Sequence, residues 1–290
     1  MVYRSLAVSA ILLLTGCAAL PGAGHEGYLS VETLGFLGEP IVETSGLALD
    51  GESIWTLNDS GNGPWVYKLS PTGNLEKRVR LEGGVNIDWE SMAADESSLF
   101  VADCGNNSGR REWLELYTVS WDALRRAAGE SEVPASRIEF RLSDAAPVLG
   151  AHAHDNDCEA IAAVDGKIWM LTKGWQSSTS RLYTIVPDMD GQSVVSQETW
   201  PVEGLTTGMD YSPRRNELVV LGYTYGRLNS DTFIWRVPVS QGRPKWVEAR
   251  RYMLWPSGQW EAIAWRGDDL LLTRESSLLG EARLGLVRLQ

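Results

Sequence analysis

Apolar residues along this chain come in runs of four to eight, spaced two apart in many of them and broken by Gly, Asp, Asn, Ser and Pro. That spacing predicts strands rather than helices over nearly the whole length. The runs also repeat. Asp157-Cys158-Glu159-Ala160-Ile161-Ala162 returns as Glu43-Thr44-Ser45-Gly46-Leu47-Ala48, Asp88-Trp89-Glu90-Ser91-Met92-Ala93, Leu205-Thr206-Thr207-Gly208-Met209-Asp210 and Gln259-Trp260-Glu261-Ala262-Ile263-Ala264. About nine residues after each copy a second apolar run begins, as at Ile54-Trp55-Thr56-Leu57 and Ile168-Trp169-Met170-Leu171. A third run with period two follows, typified by Val66-Tyr67-Lys68-Leu69 and Leu182-Tyr183-Thr184-Ile185.

More polar fourth strands are expected at 77–81, 137–142, 194–202 and 246–254, and the fifth unit ends at Gln290 without one. The missing strand stands at the other end, at 28–37, ahead of the Ser45 copy. Four strands per unit, repeated radially and closed by the N-terminal strand, predict an all-β, five-bladed β-propeller, which leaves only short, protected sheet edges. The longest spacing, between units two and three, is assigned to a short surface helix at 121–129. One repeat covers 28–290, so a single domain is expected, and 43% hydrophobic residues with 13 Trp and 29 Gly supply its core and turns.

The N-terminus has a different pattern. Arg4, an apolar run from Leu6 to Leu14 and then Leu14-Thr15-Gly16-Cys17 resemble a bacterial lipoprotein signal. The resemblance implies a signal over 1–17, lipid on Cys17 as the first mature residue, and a small-residue tether at 18–27. An ordinary signal peptide or a short membrane anchor is the alternative, although the run is short for a bilayer span. Ala18 in place of Asp favours the outer membrane, facing the periplasm.

A formal charge of −12 argues against nucleic acid as a partner, since phosphate binding needs clustered Lys and Arg. Of three cysteines, Cys104 ends a second strand and Cys158 begins the next blade. In a propeller those two points lie at one face, so the pair is either a disulfide or two buried thiols.

One polar position of the repeat is filled in turn by Ser45, Glu90, Glu159, Thr207 and Glu261. In five equivalent blades these residues ring the central channel. Three carboxylates facing two hydroxyls repel without a cation, and hard oxygen donors suit Ca²⁺. The alternative is a polar channel of blade-to-blade hydrogen bonds and water. The order Ser, Glu, Glu, Ser or Thr, Glu resembles the calcium-activated nucleotidases (apyrases), together with a loose match through Thr56-Leu57-Asn58-Asp59-Ser60-Gly61 and Leu99-Phe100-Val101-Ala102-Asp103-Cys104-Gly105. The resemblance implies a five-bladed fold, a channel calcium and hydrolysis of a phosphate ester. This chain departs from that family in having Asn58, Asp59 and Ser60 where a second Asp and an Arg are expected. A more distant likeness, to calcium-binding lactonase propellers, is opposed by their six blades.

The expected substrate rim is Asn58, Asp59, Asp103, Lys173 and Arg274, with Arg110 and Arg111 as the other basic residues near the mouth. His152-Ala153-His154-Asp155-Asn156-Asp157 offers transition-metal ligands or, more simply, a solvated loop. Trp55, Trp89, Trp169 and Trp260 recur at repeat registers, as packing residues would. Two functions remain. One is a metal-dependent hydrolase of a small anionic ester; the other is a non-catalytic, lipid-anchored propeller that binds another envelope protein.

Overall fold

A computed structural model describes residues 25–224, 230–277 and 280–289. The lipobox, Cys17 and most of the tether therefore lie outside the described residues. Alternating apolar positions produce five antiparallel meanders. Blade one comprises Thr44–Asp50, Ser53–Asn58, Trp65–Leu69 and Leu75–Glu82. Blade two comprises Trp89–Ala94, Ser98–Asp103, Leu114–Ser120 and Ser136–Leu142. Blade three comprises Asp157–Val164, Lys167–Lys173, Ser180–Ile185 and Glu198–Trp200. Leu205–Ser212, Glu217–Tyr223, Thr232–Ser240 and Arg250–Trp255 make blade four.

Blade five takes Trp260–Arg266, Asp269–Arg274 and Arg283–Val287 from the C-terminal end and Tyr28–Phe36 from the N-terminal end. Tyr28–Phe36 pairs antiparallel with Arg283–Val287, from Val31 opposite Val287 to Phe36 opposite Arg283. It also runs parallel to blade four's outer strand over Tyr28 to Ser30. The first strands lie side by side in blade order, and the fifth returns to the first. The fold is a five-bladed β-propeller closed by its N-terminal strand.

Each first strand carries the same irregularity. Its pairing with the second strand slips by one residue, between Thr44 and Gly46, Trp89 and Ser91, Cys158 and Ala160, Thr206 and Gly208, and Trp260 and Ala262. The skipped residues are Ser45, Glu90, Glu159, Thr207 and Glu261. A β-bulge removes a residue from the ladder and re-aims its side chain, which is how a period-two strand presents one extra polar residue to the axis.

Packing is between blades. One cluster joins Trp55 and Leu57 of blade one to Trp89, Met92 and Tyr117 of blade two, and Trp121 closes it from outside. Trp89 and Trp260 are both 0–1% exposed, and each indole Nε1 donates to the carbonyl four residues earlier, Val85 at 3.0 Å and Pro256 at 3.1 Å. Each indole thus gains a large buried apolar area without leaving its N–H unpaired.

Three outer elements differ from expectation. The helix covers only Trp121–Arg126, capped by Ser120 Oγ, which accepts from the Ala123 N–H. Glu130–Pro134 then forms a strand parallel to blade one's outer strand. There Arg78 pairs with Glu130, and Arg80 with Glu132 at 2.5 Å. The expected strand at 194–202 divides in two. Gln192–Val194 pairs parallel with Phe140 to Leu142 of blade two, and Glu198–Trp200 completes blade three. Between them Ser196 donates through its backbone N–H (3.0 Å) and its hydroxyl (2.5 Å) to Asp144 Oδ2, which turns the chain. At 246–254 the strand starts only at Arg250, because Trp246–Glu248 is a 3₁₀ turn whose Trp246 stacks on Trp200 at 4.8 Å.

Candidate functional site at the channel mouth

The five bulge residues do not act alike. Ser45 Oγ donates to the Glu90 carbonyl at 2.6 Å, and Thr207 Oγ1 donates to the Trp260 carbonyl at 3.1 Å. Both hydroxyls therefore fasten one inner strand to the next. Ser45, Glu90, Glu159 and Glu261 line a cavity of about 170 Å³ together with Asp59, Asn107, Lys173, Tyr223, Gln259 and Glu275. Thr207 is not among its lining residues.

Lys173 changes the electrostatics of the ring. It ends blade three's second strand, is 7% exposed, and its Nζ stands 3.0 Å from Glu159 Oε1. The ammonium also faces the rings of Trp175 at 4.9 Å and Tyr223 at 5.7 Å. Burial alone would lower its pKa, but Glu159, Tyr223, Glu261 and Glu90 together hold it well above the usual value. The ring thus contains its own cation. Among the described residues Glu90 and Glu261 have no such ion-pair partner, and burial raises both above the usual carboxylate range.

A second group of acids stands where blades one and two meet. Among the described residues, one set of three or more carboxylates, imidazoles or thiols brings ligand atoms within 4.8 Å of one another: Asp59, Asp88 and Glu90. Asp59 follows blade one's second strand, Asp88 precedes blade two's first, and Glu90 is the bulge residue. Asn86 clips the loops together, its Nδ2 donating to the Asn58 carbonyl at 3.1 Å and the Asp59 carbonyl at 2.9 Å. Gly105 lies against the acids: a Cβ there would stand 2.4 Å from Glu90 Oε1 and 2.5 Å from Asp88 Oδ2. Burial, then Asp59 and Asp157, push Asp88 up to about 6. Burial likewise raises Asp59, with Glu43 adding to it.

Of the expected rim, Asp59 and Lys173 reach the cavity and three residues do not. Asn58 is buried, with Nδ2 donating to the Pro40 carbonyl at 2.6 Å. Asp103 is fully buried and accepts from the backbone N–H groups of Ile87 (3.0 Å) and Asp88 (3.1 Å) while pairing with Arg111 at 2.8 Å. Arg274 is buried against Gly258. The alternating type pattern placed these residues at strand ends correctly, but side-chain direction there is set by the loops that fold over them.

His152 and His154 brace the loop through Asn107 and Asn156. His154 Nε2 lies 3.2 Å from the Asn107 carbonyl, its Nδ1 accepts from the Asn156 N–H at 3.2 Å, and His152 Nε2 lies 3.0 Å from Asn107 Oδ1. Cys104 and Cys158 are disulfide-bonded with Cα atoms 5.4 Å apart. That bond joins the loop that carries Gly105 to the strand that carries Glu159.

Glu275, Gln259, Tyr223 and Asn107 line the cavity without having been singled out from sequence. A signal for Glu275 was available. Asp59 and Glu275 each stand one residue past a second strand, and their N–H groups donate to the carbonyls of Glu43 (2.9 Å) and Gln259 (3.2 Å), two residues before a bulge. Glu275 accepts from Gln259 Nε2 at 2.6 Å, and burial with Glu261 and Asp59 nearby raises it to about 7.

No family model matches the chain, and no curated protein matches it. The likeness of the channel series to the calcium-activated nucleotidases is therefore without a family match beside it. Among solved structures, a bifunctional GH43-CE protein of Bacteroides eggerthii is similar with a TM-score of 0.53 and 11% identity, over 89% of this chain and 34% of that one. This chain thus spans about a third of that protein. Kuenenia stuttgartiensis hydrazine synthase gives a TM-score of 0.43 at 12% identity, covering 87% and 88% of the two chains. Pseudomonas brassicacearum lignostilbene dioxygenase gives 0.42 at 10%, covering 90% and 72%. At such identities the likeness is one of fold.

Proposed function

We propose that the channel mouth takes up a divalent cation between Asp59, Asp88 and Glu90, and that the domain is a cation-dependent hydrolase of a small phosphate or other anionic ester. The observation that carries this reading is the approach of three carboxylates to within 4.8 Å, none of them in an ion pair among the described residues. Oxygen-only donors suit a hard ion such as Ca²⁺. The Lys173–Glu159 contact argues for a place beside the ring rather than on its axis, because an ammonium already neutralises Glu159 there.

Such an ion would supply Lewis-acid polarisation of an ester oxygen. The chain's own residues would do the rest. Among the described residues that line the cavity Lys173 is the basic one, and it would offer an anionic group the charge it now shares with Glu159. Glu275, raised to about 7, is placed to hold or release a proton near neutral pH. In this reading lipid on Cys17 holds the domain at the membrane, facing the periplasm.

The test is elemental analysis and calorimetric titration of residues 28–290, followed by ester turnover with and without the ion. A stoichiometric ion, lost with Asp88→Asn or Glu90→Gln, is the expected result. No binding of Ca²⁺, Mg²⁺ or Mn²⁺ at millimolar concentration would remove the reading. An ion bound with no turnover of any anionic ester would leave the propeller as a binding module for an envelope protein.

A further inference from the structure

Arg274 is 4% exposed, yet among the described residues its guanidinium makes no hydrogen bond and no ion pair. Nε is fully enclosed without an acceptor. Other well-covered cations of this molecule are paired: Lys173 with Glu159, Arg111 with Asp103, Arg251 with Glu203 and Arg236 with Glu217. A guanidinium cannot escape burial by shedding its proton at ordinary pH. Burying it without a counter-charge is strongly unfavourable.

The surroundings add positive charge. Arg283 is the residue directly opposite Arg274 on the neighbouring strand, and like charges so placed are destabilising. Burial, then Arg283, pull the Arg274 pKa below the usual guanidinium value. Two glycines let the guanidinium groups pack directly against backbone. A Cβ on Gly258 would stand 2.9 Å from Arg274 Cζ and Nε. A Cβ on Gly280 would stand 3.0 Å from Arg283 Nη2 and 3.3 Å from Arg274 Nη2, so both forks converge beside this glycine.

We propose that Arg274 and Arg283 form an anion subsite between blades four and five that takes a carboxylate or a phosphate group. The planar fork of each guanidinium matches both groups, and the bound anion supplies the counter-charge that the fold leaves out. The subsite does not rest on the cation at the channel mouth: it stands on blade five's second and third strands and uses none of Asp59, Asp88 and Glu90.

The experiment follows thermal unfolding and calorimetric binding of residues 28–290 with inorganic phosphate, with acetate, and with chloride at matched ionic strength, all with chelator present. Phosphate or acetate should raise the melting temperature by about 2 °C or more above the chloride control. The arm that responds identifies the group. Arg274→Met should abolish the response and be at least as stable as the parent in chloride, since it removes an uncompensated charge. Gly258→Ala keeps the charge but puts a methyl against Cζ and Nε of Arg274, which must shift the guanidinium, and should weaken binding about tenfold or more. No selective response to either anion overturns the proposal, as does a response that survives in Arg274→Met. Should Arg274→Met fail to fold, unchanged affinity in Gly258→Ala overturns it.

Discussion

Lys173 and Glu159 are a buried ion pair in which each residue is the other's main compensation. Removing one partner leaves a buried charge, so Lys173→Met or Glu159→Gln should each cost about 3–5 kcal/mol in urea unfolding. The double variant should recover most of that loss, because it leaves neither charge behind. Equal destabilisation by the single and double variants would show that the two groups do not depend on each other. Gly105 tests the neighbouring cluster. Its Cβ would collide with Glu90 Oε1 and Asp88 Oδ2, so Gly105→Ala should displace the carboxylates and weaken cation binding about tenfold, read by calorimetry. Full affinity in that variant would mean that the carboxylates do not hold the ion where they stand.

The same acids give the cation-free protein a pH dependence of definite sign. Asp88 at about 6 and Glu275 at about 7 bind protons more tightly folded than unfolded, where the ordinary values are 3.8 and 4.5. Their contribution to stability is complete below about pH 4 and is lost as pH rises through about 6 and 7. With chelator present the melting temperature attributable to these groups should fall between pH 4.5 and 7.5, and Asp88→Asn with Glu275→Gln should flatten the slope. A slope unchanged in the double variant would contradict these assignments.

The blade is the element whose presence the sequence announced most clearly. Five recurrences of one polar position, each in the same flanking pattern, located every inner strand, and the unpaired N-terminal run located the closing strand. What periodicity could not see was competition at the outer edges. Val194 to Val202 reads as one strand until Ser196 is captured by Asp144, and Glu130–Pro134 has no strong alternation because its pairing rests on charged neighbours across a parallel edge. The site was half legible for a related reason. Sequence recurrence finds positions such as Glu90 and Glu159, but it cannot foresee that a lysine from a second strand reaches in to meet Glu159.

Closure has a measurable counterpart. Without residues 28–36, blade five loses its outer strand and blade four loses a parallel neighbour, so two edges open at once. A protein begun at residue 38 should melt at least about 10 °C below one begun at residue 26. Melting within a degree or two would mean that the ring does not depend on this strand.

At the scale of the molecule, the acidic balance argues against nucleic acid as a partner and accords with the small, cation-assisted ligand proposed above. The resemblance of the N-terminus to a lipoprotein signal implies a location for the proposed activity. Cys17→Ala should leave an unprocessed precursor and abolish palmitate labelling in a competent host; labelling that persists would place the lipid elsewhere.

The repeated bulge separates two inheritances within one strand. Residues in the ladder answer to their partners across the sheet, whereas the bulged residue is released from that ladder. Each blade can therefore exchange its one channel-facing side chain while its neighbours continue to assemble the same ring. Frame and chemistry can then diverge at different rates, and a saturation library at positions 45, 90, 159, 207 and 261 should sort into variants that alter binding and variants that alter assembly, with the latter concentrated where a hydroxyl, as at Ser45 and Thr207, also ties blade to blade.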